Sequence, residues 1–295
     1  MSSTAFRLSA YSRLFSSTVF RELAANGRSA LFARLLKESL LVDSLPSNGR
    51  VRDAFDAAFA TLQVEEFRDE HIYKTALTHK VLLGTHSLNS ASMLNEFRVG
   101  SCKADLAILN GTSTVYEIKS ERDSLGRLER QVNNYQKFFA RVYVIAGENH
   151  IDAILSSVPN CIGVMQLSKR QQITTIRVAA NEPDRICPVT VFDSIRISEA
   201  IEILRQLGLS APSIPNTMLH AELRQLFSRL RPLDVHNAMV QTLKKTRDLA
   251  PLAQLLEKLP SSLHVSALSL KLKKTDHNRL VKSVNTSLSA ALNWA

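Results

Sequence analysis

Between Lys103 and Ser120 the chain reads Lys-Ala-Asp105-Leu-Ala-Ile-Leu-Asn-Gly-Thr-Ser-Thr-Val-Tyr-Glu117-Ile-Lys119-Ser, two apolar runs joined by Asn-Gly. The first run carries an acid and the second carries Glu-x-Lys. Alternate residues of a strand share a face, so Glu117 and Lys119 point the same way. Two carboxylates beside an ammonium suit a hydrated Mg²⁺ (or Mn²⁺) and a polarised water, the apparatus of phosphodiester hydrolysis.

Plainer readings compete with that one. A surface hairpin with ordinary polar residues is disfavoured, because Leu106–Leu109 is nearly continuous apolar sequence and Val115, Tyr116 and Ile118 enclose the charges. Strands of that kind are buried on both faces, where an unpaired carboxylate is costly. A buried salt bridge among Asp105, Glu117 and Lys119 is the stronger rival. Register adds a constraint. A three-residue loop, Asn110–Thr112, sets Asp105 directly across from Glu117, and a two-residue loop turns them to opposite faces.

The elements that must position these groups follow from periodicity. Tyr11, Phe15, Val19 and Leu23 recur at helical spacing, and further helices are expected over Ser29–Val42, Val51–Leu62 and Phe67–Leu83. Strands are expected over Met93–Val99, Lys103–Leu109 and Thr114–Lys119, with Arg141–Ala146, Cys161–Leu167 and Ile173–Ala179 adding three more. A helix from about Ser124 to Phe139 carries Leu125, Leu128, Val132, Tyr135 and Phe139 on one stripe, and Asp123 reads as its N-cap. Ser198–Leu207 is a helix ended by Gly208, and Pro212 and Pro215 mark a boundary before a helical remainder. The expected organisation is a helical region over 1–62, a mixed α/β core over 63–209 and a helical region over 210–295.

The net charge of +10 is unevenly spread: residues 1–50 carry 7 Lys/Arg against 3 acids, 217–295 carry 12 against 5, and 51–216 carry 18 against 19. A near-neutral middle with basic flanks suits a polyanion held around a local acidic site. The three cysteines, Cys102, Cys161 and Cys187, make neither a disulfide framework nor a zinc pair, which favours a reducing cytoplasm. No apolar run is long enough to span a membrane, and the N-terminus lacks a signal-peptide core. That terminus is rich in Arg and Ser like a transit peptide, but its helical pattern runs on into Leu31–Leu41. No P-loop, Gly-x-Ser-x-Gly or Gly-x-Gly-x-x-Gly occurs, which disfavours nucleotide, serine-hydrolase and dinucleotide chemistry.

The Asp105…Glu117-Ile-Lys119 arrangement resembles the PD-(D/E)XK nuclease superfamily, with Ala104 where its hairpin acid usually follows proline. The continuation through Asp123, Gln131 and Tyr135 is similar to branches carrying an Asp and a Gln at such distances after the lysine. Residues 67–290 are also similar to an uncharacterised bacterial family known by an "sce" locus-tag name, through Asn95-Glu-Phe-Arg-Val-Gly, Tyr116-Glu-Ile-Lys-Ser and Leu259-Pro-Ser-Ser-Leu. The superfamily resemblance implies a restriction-endonuclease-like core in which Asp105 and Glu117 ligate Mg²⁺, with the Ile118 carbonyl as a further ligand. It implies that Lys119 orients the attacking water and supports developing charge. The superfamily often adds a Glu from the helix before the sheet; Glu70 fits, with Lys74 one turn on, and Glu96 on the first strand is its rival. Gln131 is expected near the site.

His71, His79 and His86 have no metal spacing with one another and read as structural or exposed. Arg122, Arg127, Arg130 and Arg141 could touch phosphates, but a solvated helix face is the default reading for them; Lys271, Lys273, Lys274 and Arg279 form the densest basic cluster, where nucleic-acid contact is expected. The resulting expectation is a metal-dependent nuclease that hydrolyses DNA phosphodiesters through a Mg-bound water. The alternative is a catalytically silent module of the same fold, binding nucleic acid or docking a protein partner through its helical flanks.

Overall fold

A computed structural model describes residues 3–294, with side chains described for all of these except Ser3, Thr4, Glu65 and Asn216. The chain divides into two compact units, one of residues 1–79 with 250–295 and the other of residues 80–249.

The first unit opens with helices α1 (Ser3–Leu14), α2 (Ser17–Asn26), α3 (Ala30–Glu38), α4 (Val51–Leu62) and α5 (Glu70–Leu77). The single N-terminal helix expected from Tyr11–Leu23 is broken, because Ser16 leaves helical geometry and caps α2, its hydroxyl accepting the Val19 N–H. Phe15, Phe32 and Phe55 form its aromatic core, with Phe55 ring centroids 5.6 and 5.2 Å from the other two.

The second unit is built on a six-stranded mixed sheet in sequential order: β1 (Ser92–Val99), β2 (Cys102–Asn110), β3 (Thr112–Lys119), β4 (Arg141–Ala146), β5 (Gly163–Leu167) and β6 (Ile173–Arg177). β1, β2 and β3 are antiparallel neighbours; β3, β4 and β5 run parallel; β6 returns antiparallel. Parallel neighbours need crossovers, supplied by α6 (Leu128–Tyr135) and α7 (Ile151–Ser157). The apolar stripe of α6 buries Leu128, Val132 and Tyr135 against Ala107, Val115 and Val144 of the sheet. α6 starts later than expected, because Asp123 does not cap it. Its carboxylate instead accepts the backbone N–H and hydroxyl of Ser120 at 2.8 and 2.7 Å, closing the turn after β3.

Four more helices complete this unit: α8 (Pro188–Ser194), α9 (Ile197–Gln206), α10 (Asn216–Phe227) and α11 (Pro232–Thr246). The boundary expected at residue 210 separates α9 from α10, but the fold keeps both here. Leu223 and Phe227 of α10 and Val235, Met239 and Leu243 of α11 lie in the same apolar core as the sheet. Buried Glu199 of α9 accepts from the Thr246 hydroxyl at 2.8 Å and pairs with Arg247, which ties α9 to the end of α11.

After Ala250 the chain rejoins the first unit as α12 (Ala253–Leu256), α13 (His264–Ser269), α14 (Lys274–Val284) and α15 (Leu288–Ala291). Three histidines of this unit hold one segment: His71, His79 and His264 bond the carbonyls of Ser262, Ser261 and Leu256 at 3.0, 3.2 and 3.1 Å. Among the described residues no helix is long and apolar enough to cross a membrane.

Candidate active site

The site is set by the way β2 and β3 part. Their ladder runs from Asn110↔Thr112 to Leu106↔Tyr116, so one further step sets Asp105 against Glu117, the register of an odd-numbered turn. Gly111 forms the tip with φ +68, a left-handed conformation that glycine adopts without steric cost. The ladder stops at Asp105, whose Oδ2 takes the Ile118 N–H at 2.8 Å in place of a backbone carbonyl. β3 continues alone along β4, from Thr114↔Arg141 to Lys119↔Ala146.

Glu117 and Lys119 are 1% and 4% exposed, so each needs a partner inside the protein. They provide it for each other, with Lys119 Nζ 2.9 Å from Glu117 Oε1. Helix α6 completes the set. Gln131 accepts from Lys119 Nζ through Oε1 at 3.0 Å and donates through Nε2 to Glu117 Oε1. One turn on, the Tyr135 hydroxyl lies 2.8 Å from Glu117 Oε2 and 2.9 Å from the Lys103 carbonyl. Burial first, then the Glu117 carboxylate and more weakly Asp105, push the Tyr135 phenol far above its ordinary range, so the hydroxyl keeps its proton as a hydrogen-bond donor. Glu117, Lys119, Gln131 and Tyr135 thus form one hydrogen-bonded network, and Asp105 is tied to it through the Ile118 N–H between Glu117 and Lys119.

Glu96 belongs to the same unit and lies on β1. The β1–β2 pairs Asn95↔Leu106 and Phe97↔Ala104 leave Glu96 and Asp105 as the step between them. Glu96 has φ +54, uncommon for a residue with a side chain. A carboxylate oxygen of Glu96 comes within 4.8 Å of one of Asp105, and the Lys103 ammonium pairs with Glu96. Glu70 lies in the other unit, in the first turn of α5, and pairs with Lys74 four residues on. Both rivals for the third acid are thus ion-paired.

Sequence reasoning missed Tyr135 as a partner of Glu117, reading it only as part of an apolar stripe. Its signal is the i, i+4 spacing from Gln131, which puts both side chains on one helix face. Of the arginines that could touch phosphates, Arg122, Arg127 and Arg130 are exposed, as a solvated face requires, and Arg141 is half-buried. Arg279 is committed elsewhere: its guanidinium donates to the Ala25 carbonyl and pairs with Asp276.

The sequence profile of the family described as Bacteriophage P4 protein cII matches residues 63–250, a range that takes in the whole α/β unit. Protein cII of Enterobacteria phage P4 is 26% identical over 204 residues, which cover 66% of this chain and 75% of that protein. Among solved structures, the SPO1766 protein of unknown function from Silicibacter pomeroyi is similar over 40% of this chain and 82% of its own. That match has 16% identity and a TM-score of 0.28, too slight a likeness to build on.

Proposed function

We propose that this chain, which belongs to the Bacteriophage P4 protein cII family, is a divalent-metal-dependent nuclease of the PD-(D/E)XK type. The observation that supports this reading is the convergence of Asp105, Glu117, Lys119 and Gln131 where β2 and β3 part. The substrate class is a nucleic-acid phosphodiester, with DNA the first choice. A cytoplasmic setting fits the free thiols of Cys102, Cys161 and Cys187.

The donor set fits a hard cation. Mg²⁺ and Ca²⁺ take oxygen ligands at about 2.0–2.6 Å, so two oxygens within 4.8 Å of each other, as on Glu96 and Asp105, can share one ion. Asp105 is the central ligand in this reading, with Glu117 beside it. Bound Mg²⁺ supplies Lewis acidity and lowers the pKa of water. The protein's own groups do the rest. Lys119 has three N–H bonds, and Glu117 and Gln131 direct two of them. The third is available to orient a water or to neutralise charge growing on a phosphate oxygen. Gln131 and Tyr135 fix the carboxylate that holds the lysine, so the ammonium is placed before substrate arrives.

One observation favours a second reading, a silent module of this fold that binds nucleic acid or a protein partner. Both oxygens of Glu117 already have protein donors, a network that is complete without an ion. Incubation of the purified chain with plasmid and with single-stranded DNA, in Mg²⁺ or Mn²⁺, separates the two. Cleavage by the wild type that is abolished in Lys119→Ala supports the nuclease. Salt-sensitive binding that is indifferent to EDTA, with no cut products, selects the silent module.

A further inference from the structure

We propose that Lys103 is a resident competitor for the divalent cation, holding the acid pair closed until an ion displaces it; this rests on the metal-site reading above. Lys103 stands on β2 two residues before Asp105, and its ammonium pairs with Glu96, whose carboxylate comes within 4.8 Å of that of Asp105. A cation shared by those two acids and the Lys103 ammonium neutralise the same charge, so each weakens the binding of the other.

The surroundings make Lys103 suited to exchange. Its backbone is fixed, since the Lys103 carbonyl lies 2.9 Å from the Tyr135 hydroxyl that also bonds Glu117. Its side chain is not, being 56% exposed against 5% for Lys119. The two lysines therefore divide the work. Lys119 is buried and permanently placed, and Lys103 is a half-solvated arm on a rigid strand. When an ion takes Glu96, that arm is released at the mouth of the site, where a phosphodiester brings negative charge. Cation and nucleic acid then favour one another's binding through Lys103.

The test is Mn²⁺ affinity, measured on the full chain by electron paramagnetic resonance without DNA. Lys103→Met and, independently, Lys103→Ala are expected to bind Mn²⁺ about three- to fivefold more tightly than wild type, the scale of one half-exposed ion pair. A fluorescence-anisotropy titration of labelled DNA in Ca²⁺ and in EDTA is the second arm. Ca²⁺ should tighten DNA binding by wild type and have a smaller effect on Lys103→Met. Unchanged or weaker Mn²⁺ binding in both variants, while Asp105→Asn abolishes it, overturns the role of Lys103 and leaves the metal site standing. No Mn²⁺ binding by wild type overturns both.

Discussion

The Asp105 carboxylate accepts the backbone N–H of Ile118 at 2.8 Å, joining the acid of one strand to the peptide between Glu117 and Lys119 on the next. A side chain thus continues the pairing of β2 and β3 one step past the last backbone pair, Leu106↔Tyr116. The bond fixes the distance between the hairpin acid and the Glu-x-Lys segment.

Asp105→Asn separates these two roles. The amide oxygen still accepts from Ile118, so the fold is expected to persist, with a cost within about 1 kcal/mol for weakening a charge-assisted bond. In the proposed metal site the loss of charge would remove the central cation ligand. Thermal unfolding should be nearly unchanged while Mn²⁺ no longer raises the melting temperature. A variant that unfolds on purification would show the aspartate to be structural first.

The Lys119–Glu117 pair has 5% and 2% side-chain exposure. Removing one member strands a buried charge, at a cost of about 3–5 kcal/mol. Lys119→Met is therefore expected to lower the urea midpoint markedly. The double variant Glu117→Gln with Lys119→Met should recover most of that loss, since both charges are gone. Equal destabilisation in single and double variants would argue that the two groups do not depend on each other.

Tyr135→Phe keeps the apolar contacts of α6 and deletes the hydroxyl beside Glu117 Oε2. Leaving that oxygen without its donor costs about 1–3 kcal/mol. If the hydroxyl also holds Glu117 in place, kcat should fall with little change in KM, and a Tyr135→Phe enzyme with wild-type kinetics would limit the residue to stability.

Stability should fall as pH drops from 7 to 5. His71, His236 and His264 are each pushed below the ordinary histidine pKa of 6.5, in every case chiefly by burial. The unfolded chain then takes up the proton first, so stability is complete above that value and declines as pH falls through each native pKa, by about 1.4 kcal/mol per pH unit per group. His236 bonds the buried hydroxyl of Ser113 at 3.1 Å. His236→Gln retains a partner for that hydroxyl and removes one titrating group, so unfolding free energies measured across this range should show a shallower slope. A slope equal to wild type would assign the acid sensitivity elsewhere.

The strands were legible because β-branched and apolar residues cluster in short runs between turn residues, and β4 spans Arg141–Ala146 as expected. The α4 helix, Val51–Leu62, was legible from its period. The hairpin register had to come from the structure, since Asn-Gly serves either turn length. The kink at Glu96 was invisible, because nothing in the residue type marks a glutamate that will take φ +54. The division of the chain was hidden for a different reason. α12–α15 return across the sequence to the N-terminal helices, and a proline-rich linker looks the same whether it ends a domain or crosses one. In the candidate site, charge and spacing singled out Asp105, Glu117 and Lys119, and the family resemblance added Gln131, whereas the bond from Tyr135 to Glu117 was concealed by the double use of that residue as core and hydrogen-bond donor.

The central claim is that a cation held at Asp105 lets this cluster cut DNA, and it is tested most directly by single-turnover cleavage of an end-labelled substrate in Mn²⁺ with wild type and Asp105→Asn in parallel. The account predicts cut products from wild type that vanish in EDTA, and none from a folded Asp105→Asn protein. Cleavage by both proteins at the same rate, or by wild type in EDTA, would contradict it.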